Sequence, residues 1–187
     1  MKTAEPIRDK GDIKKLKLYF IKKKEYRNYF LVVIGVNTAL RISDILKLKW
    51  DDLYSYEENK FKKHIRIKEQ KTGKEQIIFI NDTIKIAAKT MQYKLHKPDD
   101  YIFVNRNNLP ISRIQVNRIL DKVCKEINIA HISCHSFRKT FGYHAWKSGV
   151  EPVVLMNIYN HSNFQITKRY LGICQMDKDN VYDKIQL

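Results

Sequence analysis

The chain has 187 residues and a formal charge of +16, from 36 Lys and Arg against 20 Asp and Glu, and 43% of its residues are hydrophobic. That apolar content excludes intrinsic disorder and the length supports one buried core, while the positive excess points to a polyanionic partner, nucleic acid first. Three cysteines with no CxxC pair exclude a disulfide framework, and neither a membrane-length apolar run nor a signal-peptide start is present, so a cytoplasmic protein is expected.

Asp9 to Lys24 predicts an amphipathic helix. Ile13, Leu16, Tyr19 and Phe20 recur at helical spacing, with Lys14, Lys15, Lys17 and Lys22 outside that stripe. Tyr26 to Asn37 is apolar on most sides and predicts a buried helix, and Leu40 to Leu48 begins another. The period then changes. His64 to Lys68 alternates, Gln76 to Ile80 is rich in β-formers, and Lys71-Thr72-Gly73-Lys74 between them is a turn, so a β-hairpin is expected, with a third strand near Leu53 to Tyr56. Asn81 or Asp82 caps a helix running to about His96. Ser112 caps the next, in which Val116, Ile119, Leu120, Val123 and Ile127 form one stripe. Helices follow near Ser136 to Ser148, Pro152 to Tyr159 and Asn163 to Tyr170, with another from Asp177 onward. The fold class is mainly α with a small antiparallel β-sheet (α+β). No repeat or Gly/Ser/Pro-rich linker divides the chain, which reads as a single domain over 1–187, with a basic helix in 1–24 and a tail or helix in 171–187.

Five local features carry chemistry: Arg41 at a helix entry, Lys71 in the hairpin turn, His135-x-x-Arg138, His161, and Tyr170. Singly, each has an ordinary reading, because a helix-entry Arg is commonly solvated or salt-bridged, a turn Lys faces solvent, and Tyr170 is one of 11 tyrosines. On a helical wheel His135 and Arg138 lie roughly 60° apart and share a face, with Gly142 between them in angle, so little bulk stands there where a backbone or ligand approaches. His131-x-x-x-His135 beside Cys134 has metal-ligand spacing. However, Ile132 stands where a HExxH site needs Glu, so neither a metal nor any other cofactor is expected.

In their order, these residues resemble the catalytic domain of the tyrosine recombinases, the phage-integrase family, from about Tyr29 to Gly172. ALRISDILKLKWDDL is similar to the family's first-arginine box, KTGKEQIIFI to its β-hairpin lysine segment, CHSFRKTFGYH to its HxxR box and NHSNFQITKRYL to its His-to-Tyr segment. The resemblance implies a site-specific recombinase or integrase that breaks and rejoins DNA through a 3′-phosphotyrosyl intermediate, without metal or ATP. On that reading Tyr170 is the nucleophile, Arg41 and Arg138 bind the scissile phosphate, and Lys71 protonates the 5′-oxygen. His135 takes the tyrosine proton or orders the pocket, and His161 hydrogen-bonds the phosphate. It also implies double-stranded DNA as partner, a nucleoid-associated location, and monomers that assemble into homotetramers on paired sites. Two rivals share much of this chemistry. A type IB topoisomerase typically has lysine where His135 stands, and a non-catalytic DNA-binding accessory need not fill every catalytic position. Two positions depart from the family, which usually has Gly where this chain has Ala39 and Asn160; Asn tolerates a left-handed backbone. Only about 28 residues precede the matched stretch, so the separate core-binding domain that most members carry upstream is expected to be absent from this sequence, which is either a naturally short member or a catalytic fragment.

Overall fold

The computed structural model describes residues 4–185; residues 1–3 and 186–187, at the outer ends of the expected 1–24 and 171–187 stretches, lie outside the described residues. Nine helices and four short strands occur among the described residues: α1 (Lys10–Lys22), α2 (Tyr26–Asn37), α3 (Ile42–Ile45), β1 (Tyr54–Ser55), β2 (Lys60–Phe61), β3 (His64–Lys68), β4 (Glu75–Phe79), α4 (Asp82–Lys89), α5 (Arg113–Glu126), α6 (Cys134–Lys147), α7 (Pro152–Ile158), α8 (Phe164–Leu171) and α9 (Gln175–Lys184). None of these helices is long and apolar enough to cross a membrane.

Helix α2 is the axis of the molecule. Its run from Phe30 to Gly35 is buried on all sides, against α1, α4 and α6. Gly35 lets α6 come close, since a Cβ there would lie 2.6 Å from the Phe137 ring. That crossing fixes α6, and with it Arg138, beside the segment that leaves the C-terminus of α2. From the other side, the N-terminal strand of chain ties α6 down. Ile7 N–H donates to Thr140 Oγ1 at 2.9 Å, and His144 Nε2 donates to Ile7 O at 2.9 Å. The caps follow the sequence: Asn81 accepts from Ile84 N–H at 2.9 Å, and Ser112 and Gln115 form a reciprocal capping box at α5.

The expected hairpin forms, with His64 opposite Phe79 and Lys68 opposite Glu75 at its two ends. Three expectations are corrected. The strand near Leu53 to Tyr56 does not join this hairpin; Tyr54–Ser55 pairs with Lys60–Phe61 in a second two-stranded sheet, closed by a turn with Asn59 at φ 50°. Helix α4 stops at Lys89, not His96, because Gln92 takes a left-handed backbone at φ 50° and a short 3₁₀ turn, Tyr93–Leu95, follows. The predicted helix from Leu40 shrinks to the single turn of α3, so Arg41 sits in extended backbone (φ −73°, ψ 147°) at its N-cap. Smaller shifts occur at α6, which begins at Cys134, and at α9, which begins at Gln175.

Candidate functional site

The large core packs around α2. A second, smaller apolar cluster joins Ala39, Leu155, Tyr159 and Leu171, with Phe141, Trp146 and Tyr170 packed against it. The candidate site lies along this second cluster, where the segment after α2, the β3–β4 turn, the start of α6 and the α7–α8 turn meet.

Arg138 is 2% exposed and is held almost wholly by backbone. Its Nη1 donates to Ala39 O and its Nη2 to Tyr159 O at 3.0 Å. Its guanidinium lies over the Tyr159 ring at 4.6 Å and over the Tyr170 ring at 5.6 Å. Its Nε is buried with no hydrogen-bond partner among the described residues. Burial, then the charge of Arg41, pushes its pKa down, so the two guanidiniums share one region. Arg41 itself meets the buried Glu69 carboxylate, Nη1 to Oε1, at 2.6 Å.

His161 follows Asn160, whose backbone is left-handed at φ 54°, as a turn between α7 and α8 requires of the residue that replaces Gly there. The His161 ring stacks on Tyr159 at 5.1 Å and lies 5.0 Å from the Tyr170 ring, and its Nδ1 meets Thr167 Oγ1 at 3.0 Å. Burial, then the charges of Arg138 and Arg41, lowers its pKa to about 4, so the ring is neutral at physiological pH. His135, in the first turn of α6, is exposed. Burial of its ring nitrogens, then the charges of Arg113, Lys139, Arg138 and Lys71, holds its pKa below the ordinary histidine value. Lys71 is exposed on the hairpin turn, near enough to be one of those charges.

The structure therefore brings Arg41, Arg138, His161 and Tyr170 together, while Lys71 and His135 are exposed and within electrostatic range of one another. It also adds groups that were not singled out in the sequence. Glu69 is one, and its sign was present: Ile65, Ile67 and Glu69 alternate onto the inward side of the β3 line, so a carboxylate occupies an apolar register. Asp44 is another. It is buried, accepts from Gln70 N–H at 3.1 Å, and has its pKa raised by burial. Tyr159 is the third, fully buried, with its hydroxyl donating to Arg138 O at 2.7 Å.

The small face expected at Gly142 is filled by that tyrosine, not by a ligand or a backbone: a Cβ at Gly142 would overlap the Tyr159 hydroxyl. Gly142→Ala should therefore destabilise the protein by about 1–3 kcal/mol, an overpacking cost, despite the better helix propensity of Ala. In a Tyr159→Phe background the same change should cost less, with a coupling of about 1 kcal/mol or more between the two sites. Thermal unfolding of the four proteins in the cycle measures it, and additive effects would contradict the close approach.

Comparison with known proteins bears on the family and the fold. The family model described as "Phage integrase family" matches residues 9–175. The chain is 39% identical over 175 residues to "Probable integrase/recombinase YoeC" of Bacillus subtilis (strain 168), covering 92% of both. It is 28% identical to a "Tyrosine recombinase" of Pseudothermotoga lettingae, covering 90% of this chain but 57% of that protein. Thus it spans nearly all of the first relative and little more than half of the second. Among solved structures, "Crystal structure of XerA recombinase" superposes with a TM-score of 0.79 at 17% identity, over 100% of this chain and 66% of that one. A XerH recombinase "bound to palindromic difH substrate: post-cleavage complex" superposes with a TM-score of 0.76 at 15% identity, over 98% of this chain and 54% of that one.

Proposed function

The chain belongs to the phage integrase family, the tyrosine recombinases, and from that premise we propose that it cuts and rejoins double-stranded DNA at specific sites through a covalent bond to Tyr170. The observation that carries this reading is the meeting of the Arg41 and Arg138 guanidiniums, a neutral imidazole and one half-buried phenol ring, from three segments far apart in the chain.

The roles follow from the chemistry of each group. Tyr170 Oη attacks the scissile phosphorus, the P–O5′ bond breaks, and its electron pair leaves with the 5′-oxygen. Lys71, on the exposed turn, supplies the proton that this oxygen needs. His135, whose pKa is lowered by burial and then by the cations around it, accepts the tyrosine proton. Arg41 and Arg138 meet the charge that builds on the non-bridging oxygens; guanidinium stays charged, and Arg138, whose Nη1 and Nη2 are held by backbone carbonyls, keeps Nε as its unpartnered donor. If the Thr167 hydroxyl donates to His161 Nδ1, the hydrogen sits on Nε2, the form that donates to a phosphate oxygen. The bond energy stays in the phosphotyrosyl ester, so attack by a 5′-hydroxyl reverses the step with no nucleotide consumed.

The charge of +16 supports DNA as the partner, and a nucleoid-associated location follows from it. Exchange between two duplexes breaks four strands, and one tyrosine per strand calls for four protomers on paired sites. Filled catalytic positions favour an enzyme over a binding accessory, and His135 favours a recombinase over a type IB topoisomerase.

The test is a pool of nicked duplexes with randomised sequence around the break, in which cleavage beside the nick releases a short fragment and strands the enzyme on DNA. Protein that resists denaturing detergent, with the DNA remnant mapped by mass to the peptide containing Tyr170, is the expected result. Binding with no adduct at any sequence overturns the proposal.

A further inference from the structure

We infer that Glu69 is a positioning residue: one buried carboxylate holds the Lys71 turn against Arg41, so that the proton donor for the leaving group and a phosphate-binding guanidinium are set by the same side chain. This rests on the reading of Lys71 and Arg41 given above.

The Glu69 side chain is 0% exposed, and both its oxygens are engaged. Oε1 faces Arg41 Nη1 at 2.6 Å, and Oε2 accepts from Thr72 Oγ1 at 2.5 Å. Its backbone closes the turn as well. Glu69 N–H donates to Lys74 O at 2.9 Å, and Gly73 N–H donates to Glu69 O at 2.8 Å, with Gly73 at φ 66°. Gln70, the next residue, is tied to the other side of Arg41: its N–H donates to Asp44 Oδ1 at 3.1 Å and its Nε2 to Ser43 O at 2.7 Å. Residues 69, 70 and 72 are thus anchored to one another or to the Arg41 segment, while Lys71 between them projects into solvent.

A carboxylate is a costly choice beside a site that must bind a phosphate. It repels the ligand, and an ionised group out of water needs strong partners. Burial pushes the Glu69 carboxyl up, but the Thr72 hydroxyl and the Arg41 guanidinium outweigh it and hold the group below the ordinary glutamate range, hence ionised. What this arrangement gains is geometry. Lys71 lies on a two-strand hairpin turn with no packing of its own, and a proton donor must stand within hydrogen-bond reach of the oxygen it serves. Glu69 also holds Nη1 of Arg41, which limits how far that guanidinium can move.

The experiment uses the duplex recovered from the randomised pool, made in two forms: one with the normal 5′-oxygen at the scissile bond, the other with 5′-sulfur, a leaving group that needs no proton. The variants are Glu69→Gln, which keeps shape and loses charge, and Thr72→Val, which removes only the hydroxyl on Oε2 from an exposed position. Glu69→Gln should slow adduct formation on both duplexes, because Arg41 loses its anchor, and by a further factor of roughly 10 on the oxygen duplex, where the displaced Lys71 is also needed, a share of the effect of a general acid. Thr72→Val should show the same selective loss, but smaller. Lys71→Ala is the control and should be restored by sulfur. Equal losses on both duplexes, or none on either, with Lys71→Ala restored, would overturn the inference about Glu69 alone. Lys71→Ala that sulfur does not restore would overturn the role of Lys71, and the inference with it.

Discussion

Tyr170→Phe should form no covalent adduct with any duplex that traps the parent protein, while its fold and its affinity for DNA stay close to unchanged. The substitution removes one oxygen. The ring contacts that place residue 170 do not use that oxygen: the ring lies 5.0 Å from the rings of Tyr159 and His161 and 5.6 Å from the Arg138 guanidinium. Stability should therefore shift by no more than about 0.5 kcal/mol, as for other changes that disturb no packing. The rate should fall by on the order of 10⁴ or more, the scale on which loss of a nucleophile is felt when the rest of the site survives. A nicked-duplex trap resolved on a denaturing gel reads the chemistry, and thermal unfolding reads the fold. An adduct that persists in Tyr170→Phe would move the nucleophile elsewhere, and the structure narrows the choice. Tyr159 is fully buried, with its hydroxyl spent on Arg138 O. Tyr182, 79% exposed on α9, would be the residue to test next.

The parts of this site that depend on local sequence were legible in it; those made by distant segments were not. Alternation from His64 to Lys68 and the β-rich run after the turn marked the hairpin, because a half-buried strand carries side-chain period 2. Likewise the order Arg41, Lys71, His135-x-x-Arg138, His161, Tyr170 picked out the residues that gather around Arg138, together with the exposed Lys71 and His135. Helix ends were read less well. Nothing in Thr90-Met91-Gln92 announces a stop, since Gln92 takes a left-handed backbone without being Gly or Asn, so α4 was carried seven residues too far. The groups that hold the candidate site residues in place have a different reason for escaping notice. Arg138 is fixed by the carbonyl of Ala39, 99 positions away, and by that of Tyr159, 21 positions away. A carbonyl belongs to every residue type, so no composition or spacing reveals which one an arginine will use. The same fact explains why Ala39 replaces the family's usual Gly without emptying the site: Arg138 takes its carbonyl, which Gly and Ala share.

Arg138→Ala should lower cleavage by about 10³- to 10⁵-fold, the range over which loss of an arginine from a phosphoryl-transfer site is felt, and it should also weaken the fold. The second effect comes from the carbonyls of Ala39 and Tyr159, which lose buried donors at a cost of about 1–3 kcal/mol each. The two effects must be separated, and Arg138→Lys does so. Lysine keeps the charge but not the planar fork that spans both carbonyls and still presents a buried Nε to the site. Circular dichroism at the assay temperature establishes that the variant is folded, and its cleavage should still fall by about 10²-fold or more. Arg41→Ala gives the complementary case: a comparable loss of cleavage, with a loss of stability of different origin, because the buried Glu69 carboxylate is left without its partner cation. The titration of His161 adds an independent readout. Its pKa is held at about 4 by burial and then by the charges of Arg138 and Arg41. Removing Arg138 opens the pocket and deletes one of those charges, and both changes raise the value toward that of a free imidazole. In Arg138→Ala the His161 ring signals, followed by NMR against pH, should therefore titrate at higher pH than in the parent protein, and in Arg138→Lys they should move less. A folded Arg138→Lys protein that cleaved at the parent rate, with His161 unmoved in Arg138→Ala, would place the phosphate somewhere other than beside Arg138.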